Sequence, residues 1–244
     1  MSKKSKRSYA ELLTALRFSM PDFVLSSGAV EALKWIAVVS MTIDHVNRYL
    51  LHGSVSYMFA LGRLAMPIFA FTLAYQLART NAFSNGVHFR VIRRLVFFAV
   101  ISSIPYAALN KTTLIQGWWP LNILFLLLIG TALVALLESN FIYRNTLAFF
   151  LFVFGGAIVE FWWAGLAVFF FSWRYIKSPN LIDFFGLLIA LFLLGNINGN
   201  QWALASLPVV FIMSNIKVNI PRIKHILYIY YPLHLALIWL FTSI

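Results

Sequence analysis

Cysteine is absent from the sequence, and charged residues are few. The lack of cysteine in 244 residues excludes a disulfide framework, a thiolate metal site and a cysteine nucleophile. Charged residues form 11% of the chain, against about 25% in a typical soluble domain, and only 7 residues are acidic. This composition excludes a disordered chain and an ordinary soluble globule, because too little polar surface is available to cover the apolar residues.

The abundant residues are apolar and basic. Hydrophobic residues make up 61% of the chain, 24 residues are Phe, and 19 Lys and Arg give a formal net charge of +12. In so apolar a chain, an excess of positive charge is typical of loops that follow the positive-inside rule of membrane proteins. We therefore predict the lipid bilayer as a partner and no nucleic-acid partner.

Nine apolar blocks alternate with short basic loops. The blocks cover residues 31–51, 56–78, 91–109, 120–138, 147–159, 164–176, 181–195, 202–214 and 225–241. The first four and the last approach or exceed the ~17–25 residues that a membrane-spanning helix needs, whereas the other four are shorter. The pattern predicts an all-α integral membrane protein, a polytopic bundle of about nine transmembrane helices, some of them short.

The distribution of cations predicts the orientation of this bundle. If the amino terminus is cytoplasmic and every block crosses once, all but three of the 19 Lys and Arg residues lie on the cytoplasmic side or in its tail. The exceptions are Arg48, Lys111 and Arg63, the last of which lies inside a block. Residues 1–30 then form a basic cytoplasmic tail with a candidate interfacial helix near residues 12–18, and residues 31–244 form a single transmembrane domain.

Three ionisable residues of the first two blocks are predicted to lie at one depth. Asp44 and His45 lie ~20 Å from the cytoplasmic end of the first block, and Arg63 lies ~22 Å from that of the second, at ~1.5 Å per residue. Arg48 shares the helix face of Asp44 and His45. Because ionisable residues inside a membrane are costly, this group is a candidate functional site in the outer half of the bilayer.

Three polar residues of later blocks extend this candidate site. Asn122 lies near the outer start of the fourth block, Glu160 near the outer end of the fifth, and His234 near the middle of the last. The spacing of these residues places them at membrane depth, but it does not give the order of the helices around them. We therefore predict a polar cavity in the outer half of the bundle.

The chemistry available to such a cavity is limited. The sequence has no pair of histidines at a metal-ligand spacing and no Gly-rich phosphate-binding loop. We therefore predict that the protein binds no metal. Acid–base work by His45 or His234 remains, with Asp44 able to fix an imidazole tautomer. Arg63 is a fixed cation that can stabilise a developing oxyanion.

Structural interpretations stay open for several of these residues. Asp44 and Arg63 are also the partners expected of a buried ion pair that only fixes helix packing. Arg90, Arg93 and Arg94 can grip a nucleotide phosphate at the cytoplasmic mouth, but the positive-inside rule accounts for them without a ligand.

Two of the blocks carry motifs that resemble those of a known family. Residues 34–48 and residues 62–71 resemble the first and second motifs of the TraX family, the conjugative-pilin acetylases. Weaker matches follow at residues 94–95, at residues 122–125 and at residues 230–235, in the same order and with similar spacing. The resemblance covers about residues 31–241.

The resemblance implies a multi-pass acyltransferase of the bacterial inner membrane that uses acetyl-CoA, without a metal, to acetylate the amino terminus of a pilin. Combined with the chemistry above, it suggests roles for ten residues. They are His45, Asp44, Arg63 and His234 as catalytic residues, Asn122, Arg48 and Glu160 as substrate-binding residues, and Arg90, Arg93 and Arg94 as residues that bind acetyl-CoA. An extended pantetheine arm entering from the cytoplasm is about as long as the depth of His45.

Three other functions remain open at this point. An acyltransferase that acts on a glycan hydroxyl of the envelope would need the same base, so residue types do not separate it from an amine acetylase. A proton-coupled transporter would also place Asp and His inside the membrane, but it is expected to show inverted repeats, and none is evident. A non-enzymatic assembly scaffold would tolerate loss of His45.

Overall fold

The computed structural model describes residues 23–110, 119–222 and 226–243, and these residues are mainly helical. The helices are α1 (Ser27–Tyr49), α2 (Ser56–Gly62), α3 (Ala65–Ala78), α4 (Val87–Leu109), α5 (Ile123–Glu138), α6 (Arg144–Ile158), α7 (Trp162–Lys177), α8 (Leu181–Asn198), a 3-10 turn (Trp202–Ala205), α9 (Ser206–Asn215) and α10 (Ile226–Ser243). Within the described ranges the only β pairing is a single bridge between Leu121 and Val159. The predicted all-α fold is confirmed.

The helices follow the nine predicted blocks, with two differences. The second block is divided into α2 and α3, and the eighth combines the 3-10 turn with α9. The first helix begins at Ser27, inside the predicted tail, because the side chain of Ser26 caps it by accepting a hydrogen bond of 3.1 Å from the Ala29 backbone N–H. The candidate interfacial helix near residues 12–18 lies outside the described residues.

The interruption between α2 and α3 has a local cause in Pro67. Proline has no N–H to donate to the carbonyl four residues earlier, which belongs to Arg63, and its ring crowds that carbonyl. The chain therefore tightens at this point: Arg63 N bonds Ala60 O and Leu64 N bonds Leu61 O, each at 3.2 Å. The break therefore lies one turn before Pro67, at Arg63 itself.

Three helical segments among the described residues are long and apolar enough to cross a membrane. They are Ser56–Ala78, Val87–Leu109 and Leu181–Asn198. The last of these belongs to a block that was expected to be short. The first helix has sufficient length, but Glu31, Lys34, Asp44 and Arg48 make it too polar to qualify on composition. Many large side chains on outward faces of the bundle are exposed and apolar, including Phe149, Ile182 and Leu193.

Contacts at one end of the bundle agree with the alternation of the helices. The Lys177 ammonium at the end of α7 forms a close ion pair with Glu138 at the end of α5. His88, at the start of α4, places its Nε2 atom 3.8 Å from the same carboxylate. The start of α4 and the ends of α5 and α7 therefore meet at the end that the charge pattern assigns to the cytoplasm.

Candidate active site

A half-buried ion pair joins the first two apolar blocks. Arg63 Nη2 donates to Asp44 Oδ1 in a close contact, and Arg63 Nη1 donates to Asn198 Oδ1 at 3.1 Å. The guanidinium carbon lies 4.2 Å from the centre of the Phe59 ring. Gly62 allows this approach, because a Cβ atom at its position would overlap the Asp44 side chain. The structure therefore brings Asp44 and Arg63 together and ties α8 to them.

One histidine of the first helix and one of the last helix form a hydrogen-bonded pair. His45 Nδ1 lies 2.7 Å from His234 Nε2, with the ring planes within 3° of each other. His234 Nδ1 lies 2.9 Å from the Tyr230 backbone oxygen. Tyr230 is itself held against α1, because its hydroxyl lies 2.7 Å from Thr42 Oγ1. The last helix is thereby fixed in register with the first.

These partners determine which nitrogen of each neutral histidine carries the proton. A backbone oxygen only accepts, so His234 Nδ1 must donate to Tyr230. His234 Nε2 is then unprotonated and accepts from His45 Nδ1–H. Neutral His45 therefore keeps an unprotonated Nε2, and no described residue forms a hydrogen bond with that atom. The arrangement gives His45 the lone pair that a general base needs.

An outer cavity of about 370 Å³ lies beside the ion pair and the histidine pair. Its polar lining consists of Asp44, His45, Arg48, Arg63, Asn110, Glu160 and Asn198, with aromatic side chains at Trp119, Phe161 and Trp162. The Arg48 guanidinium reaches towards Asn110, with Nη2 at 3.5 Å from Oδ1. The cavity thus presents a base, two carboxylates and two guanidinium groups to one small volume.

Glu160 enters this cavity from the three-residue connection between α6 and α7. The connection is held by backbone hydrogen bonds of 2.8 Å from Leu121 N to Ile158 O and from Glu160 N to Leu121 O. Phe161 and Trp162 follow with φ values of 63° and 53°, a left-handed conformation that is strained for residues with side chains. Desolvation raises the pKa of the Glu160 carboxyl to about 7, against the opposing influence of Arg48 and Arg63.

An inner cavity of about 500 Å³ lies on the other side of Met41, whose side chain lines both cavities. Four cations line it, and no carboxylate belongs to its described lining; the cations are Lys34, Arg90, Arg94 and Arg222. Its deeper walls are apolar apart from Thr72 and Gln76. Lys34 also pairs with Glu31, Nζ to Oε1 at 2.5 Å, so it is partly neutralised.

The two cavities are separated by a shared wall. Met41, Ile123 and Tyr231 line both of them, and all three side chains are buried. We call these three residues the partition. On α1, Lys34 at the mouth of the inner cavity and His45 in the outer cavity are ~16 Å apart at ~1.5 Å per residue. One face of α1 therefore runs from the basic mouth, past the partition, to the base.

Three of the predicted roles need correction. Asp44 contacts Arg63, so His234, and not Asp44, fixes the tautomer of His45. Asn122 does not line the outer cavity, because its side chain caps α5 through Leu124 N and donates to Ala99 O and Ser103 Oγ. Arg93 does not line the inner cavity, although the equally exposed Arg90 and Arg94 on the same helix do.

Sequence reasoning missed several residues that line the cavities. Lys34 shares a helix face with Met41 and His45, so the helical period offered a signal for it. Arg222 and Asn198 lie outside or at the end of helices, and no sequence pattern brings them to α1. Their places depend on how the last helices pack.

Comparison with known proteins identifies one family and two similar curated proteins. The family model described as "TraX protein" matches residues 29–242. Protein TraX of Escherichia coli (strain K12) is 29% identical over 164 residues, covering 66% of this chain and 61% of that protein. Uncharacterized protein RP591 of Rickettsia prowazekii (strain Madrid E) is 29% identical over 168 residues, covering 68% of this chain and 54% of that protein. Each match thus covers less than two thirds of the relative's own length. No solved structure matches the chain.

Proposed function

The chain belongs to the TraX family, and from this premise we propose that it is a membrane-embedded acetyltransferase that transfers acetyl from acetyl-CoA to the amino terminus of a pilin subunit. One observation carries the proposal. An inner cavity lined by cations and an outer cavity lined by His45, whose Nε2 is unprotonated, are separated only by the partition. This is the geometry that a transferase needs when its donor and its acceptor arrive from opposite sides.

The inner cavity suits the donor on two counts. The guanidinium and ammonium groups at its mouth can form ion pairs with the phosphates of coenzyme A. Arg94 and Arg222 supply two of these guanidinium groups. The apolar interior suits the pantetheine arm, which would run along α1 to the partition. The ~16 Å from Lys34 to His45 is a distance that this arm spans when extended.

The outer cavity supplies the groups for amine acylation. The amine nitrogen attacks the thioester carbonyl carbon, so a C–N bond forms and the carbonyl oxygen becomes an oxyanion. Arg63 uses one N–H on Asp44, one on Asn198 and its Nε–H on the Phe59 backbone oxygen, and its two remaining N–H donors can stabilise that oxyanion. His45 Nε2 takes the proton from the amine nitrogen and returns it to the sulfur as the C–S bond breaks.

Glu160 favours an amine over a hydroxyl as the acceptor. An ammonium group entering the cavity meets the Glu160 carboxylate, which offers it a charged hydrogen-bond acceptor. A sugar hydroxyl gains less from such a group. We therefore assign Glu160 the capture of the ammonium group and the acceptance of its first proton, which is then released to solvent. The resulting neutral amine attacks, and His45 takes the second proton from the nitrogen and returns it to the sulfur.

The same proposal includes the location of the protein. The exposed apolar side chains and the three apolar segments fit a lipid bilayer, and the cation distribution fits a cytoplasmic amino terminus. The bacterial inner membrane then presents acetyl-CoA to the inner cavity. A pilin subunit held in that membrane would present its amino terminus to the outer cavity.

The experiment uses the full chain in proteoliposomes with acetyl-CoA and a membrane-inserted pilin, and a parallel reaction supplies envelope glycan as the acceptor. Mass spectrometry of the amino-terminal peptide should show the added mass of one acetyl group with the native protein and not with His45→Ala or Arg63→Ala. His52→Ala is the matched control, because His52 is exposed in the loop after α1. Acetylation by both site variants at native rates would overturn the proposal. Acetylated glycan with unmodified pilin would instead identify a hydroxyl acceptor.

A further inference from the structure

The partition lies where an acyl group must cross from one cavity to the other. Met41 is one helical turn before His45 on the same face of α1, so the two side chains are neighbours along the path. Tyr231 packs its ring edge against the His234 ring, with the centres 5.4 Å apart. Ile123 closes the third side at the start of α5. The acyl end of a thioester that enters from the inner cavity must therefore pass these three side chains to reach His45.

We propose that the partition selects the length of the acyl chain and that Met41 is its principal specificity residue. This inference rests on the proposed function and deepens it. A close-packed wall accommodates a methyl group more readily than a longer chain, because every added methylene must displace a buried side chain. The native partition thus favours acetyl over propionyl and butyryl thioesters.

Shortening Met41 should relax this selection. In the proteoliposome assay, Met41→Ala is expected to raise kcat/KM for butyryl-CoA relative to acetyl-CoA by about 10- to 200-fold, the range that a methylene contact typically controls. Ile123→Ala, on the opposite wall, should move the ratio in the same direction. Met41→Phe fills the space and should lower activity with every acyl-CoA. Val39→Ala is the control, because Val39 lies on the same helix, is exposed and lines neither cavity.

The outcomes separate this inference from the proposed function. If the native protein transfers no acyl group from any acyl-CoA, the proposed function fails. If it acetylates pilin while both Met41→Ala and Ile123→Ala keep the native butyryl-to-acetyl ratio, the inference is wrong and the proposed function stands. A shift of equal size in Val39→Ala would also overturn the inference, because loss of side-chain volume anywhere on α1 would then change the ratio.

Discussion

Replacing His234 tests whether this residue orients the base or carries a proton itself. Its Nε2 atom accepts the hydrogen bond that keeps the proton of His45 on Nδ1. His234→Leu removes that acceptor, and a hydrogen bond of this kind contributes about 0.5–1.5 kcal/mol. If this energy is the whole tautomer preference, kcat should fall about 2- to 13-fold at ~1.36 kcal/mol per tenfold.

The expected loss is much smaller than that from removing the base. A general base contributes about 100- to 10,000-fold, so His45→Ala should be far less active than His234→Leu. His234→Gln restores a hydrogen-bond acceptor and should recover part of the activity, while KM for acetyl-CoA stays unchanged in all three variants. The assay is initial-rate pilin acetylation in proteoliposomes, with protein level checked by immunoblot.

The double variant provides the decisive comparison. His45→Ala combined with His234→Leu should be no worse than His45→Ala alone, because orientation has no value without the base. If His234→Leu alone costs as much as His45→Ala, then His234 takes part in proton transfer, and the orienting role argued from the tautomers is refuted.

Three further predictions follow from the cavities. Gly62→Ala should lower stability by about 1–3 kcal/mol and reduce acetylation, because the new Cβ displaces Asp44; thermal unfolding of the detergent-solubilised protein and the acetylation assay measure both effects. Arg94→Ala should raise KM for acetyl-CoA by about tenfold through loss of a charged hydrogen bond, while Arg93→Ala should leave it unchanged, as steady-state kinetics would report. Because the raised pKa of Glu160 is about 7, its carboxyl is neutral below that pH, so KM for the pilin amine should rise as pH falls from 8 to 6. In Glu160→Gln that rise should be smaller, leaving only the titration of the amine.

Each of these three has a result that would contradict it. A native melting temperature for Gly62→Ala would mean that α2 can move away from α1 without cost. Equal effects of the two arginine variants would mean that the inner cavity is not where the phosphates bind. An identical pH dependence of KM in the native protein and in Glu160→Gln would remove Glu160 from acceptor binding.

The ion pair was within reach of sequence reasoning, and the histidine pair was not. Alternation of charge fixes the direction of each block, and the rise per residue then gives the depth of Asp44 and Arg63 without any knowledge of packing. The contact between His45 and His234 depends on which helix packs beside α1, and two residues 189 positions apart carry no local signal of that choice.

The errors at Asn122 and Arg93 have different causes. Polarity at membrane depth indicates that a side chain needs partners, but it does not distinguish a ligand from a helix end. Asn122 caps α5 through a bond of 3.1 Å, and Asn before an apolar run is typical of a helix N-cap, so the sequence offered a local signal for this role. Arg93 and Arg94 are neighbours in the chain and both are exposed, and only the packing of α4 decides which of them lines the inner cavity.

The left-handed turn at Phe161 and Trp162 lowers the stability of the fold but holds Glu160 in position for activity. Glycine at either position would relieve a torsional cost of about 1–3 kcal/mol. It would also make the backbone more flexible, so that Glu160 would no longer be held in one position. Laboratory selection for thermal stability should therefore yield variants with substitutions in this turn that have a raised melting temperature and a lowered kcat. Selection for activity should eliminate the same variants.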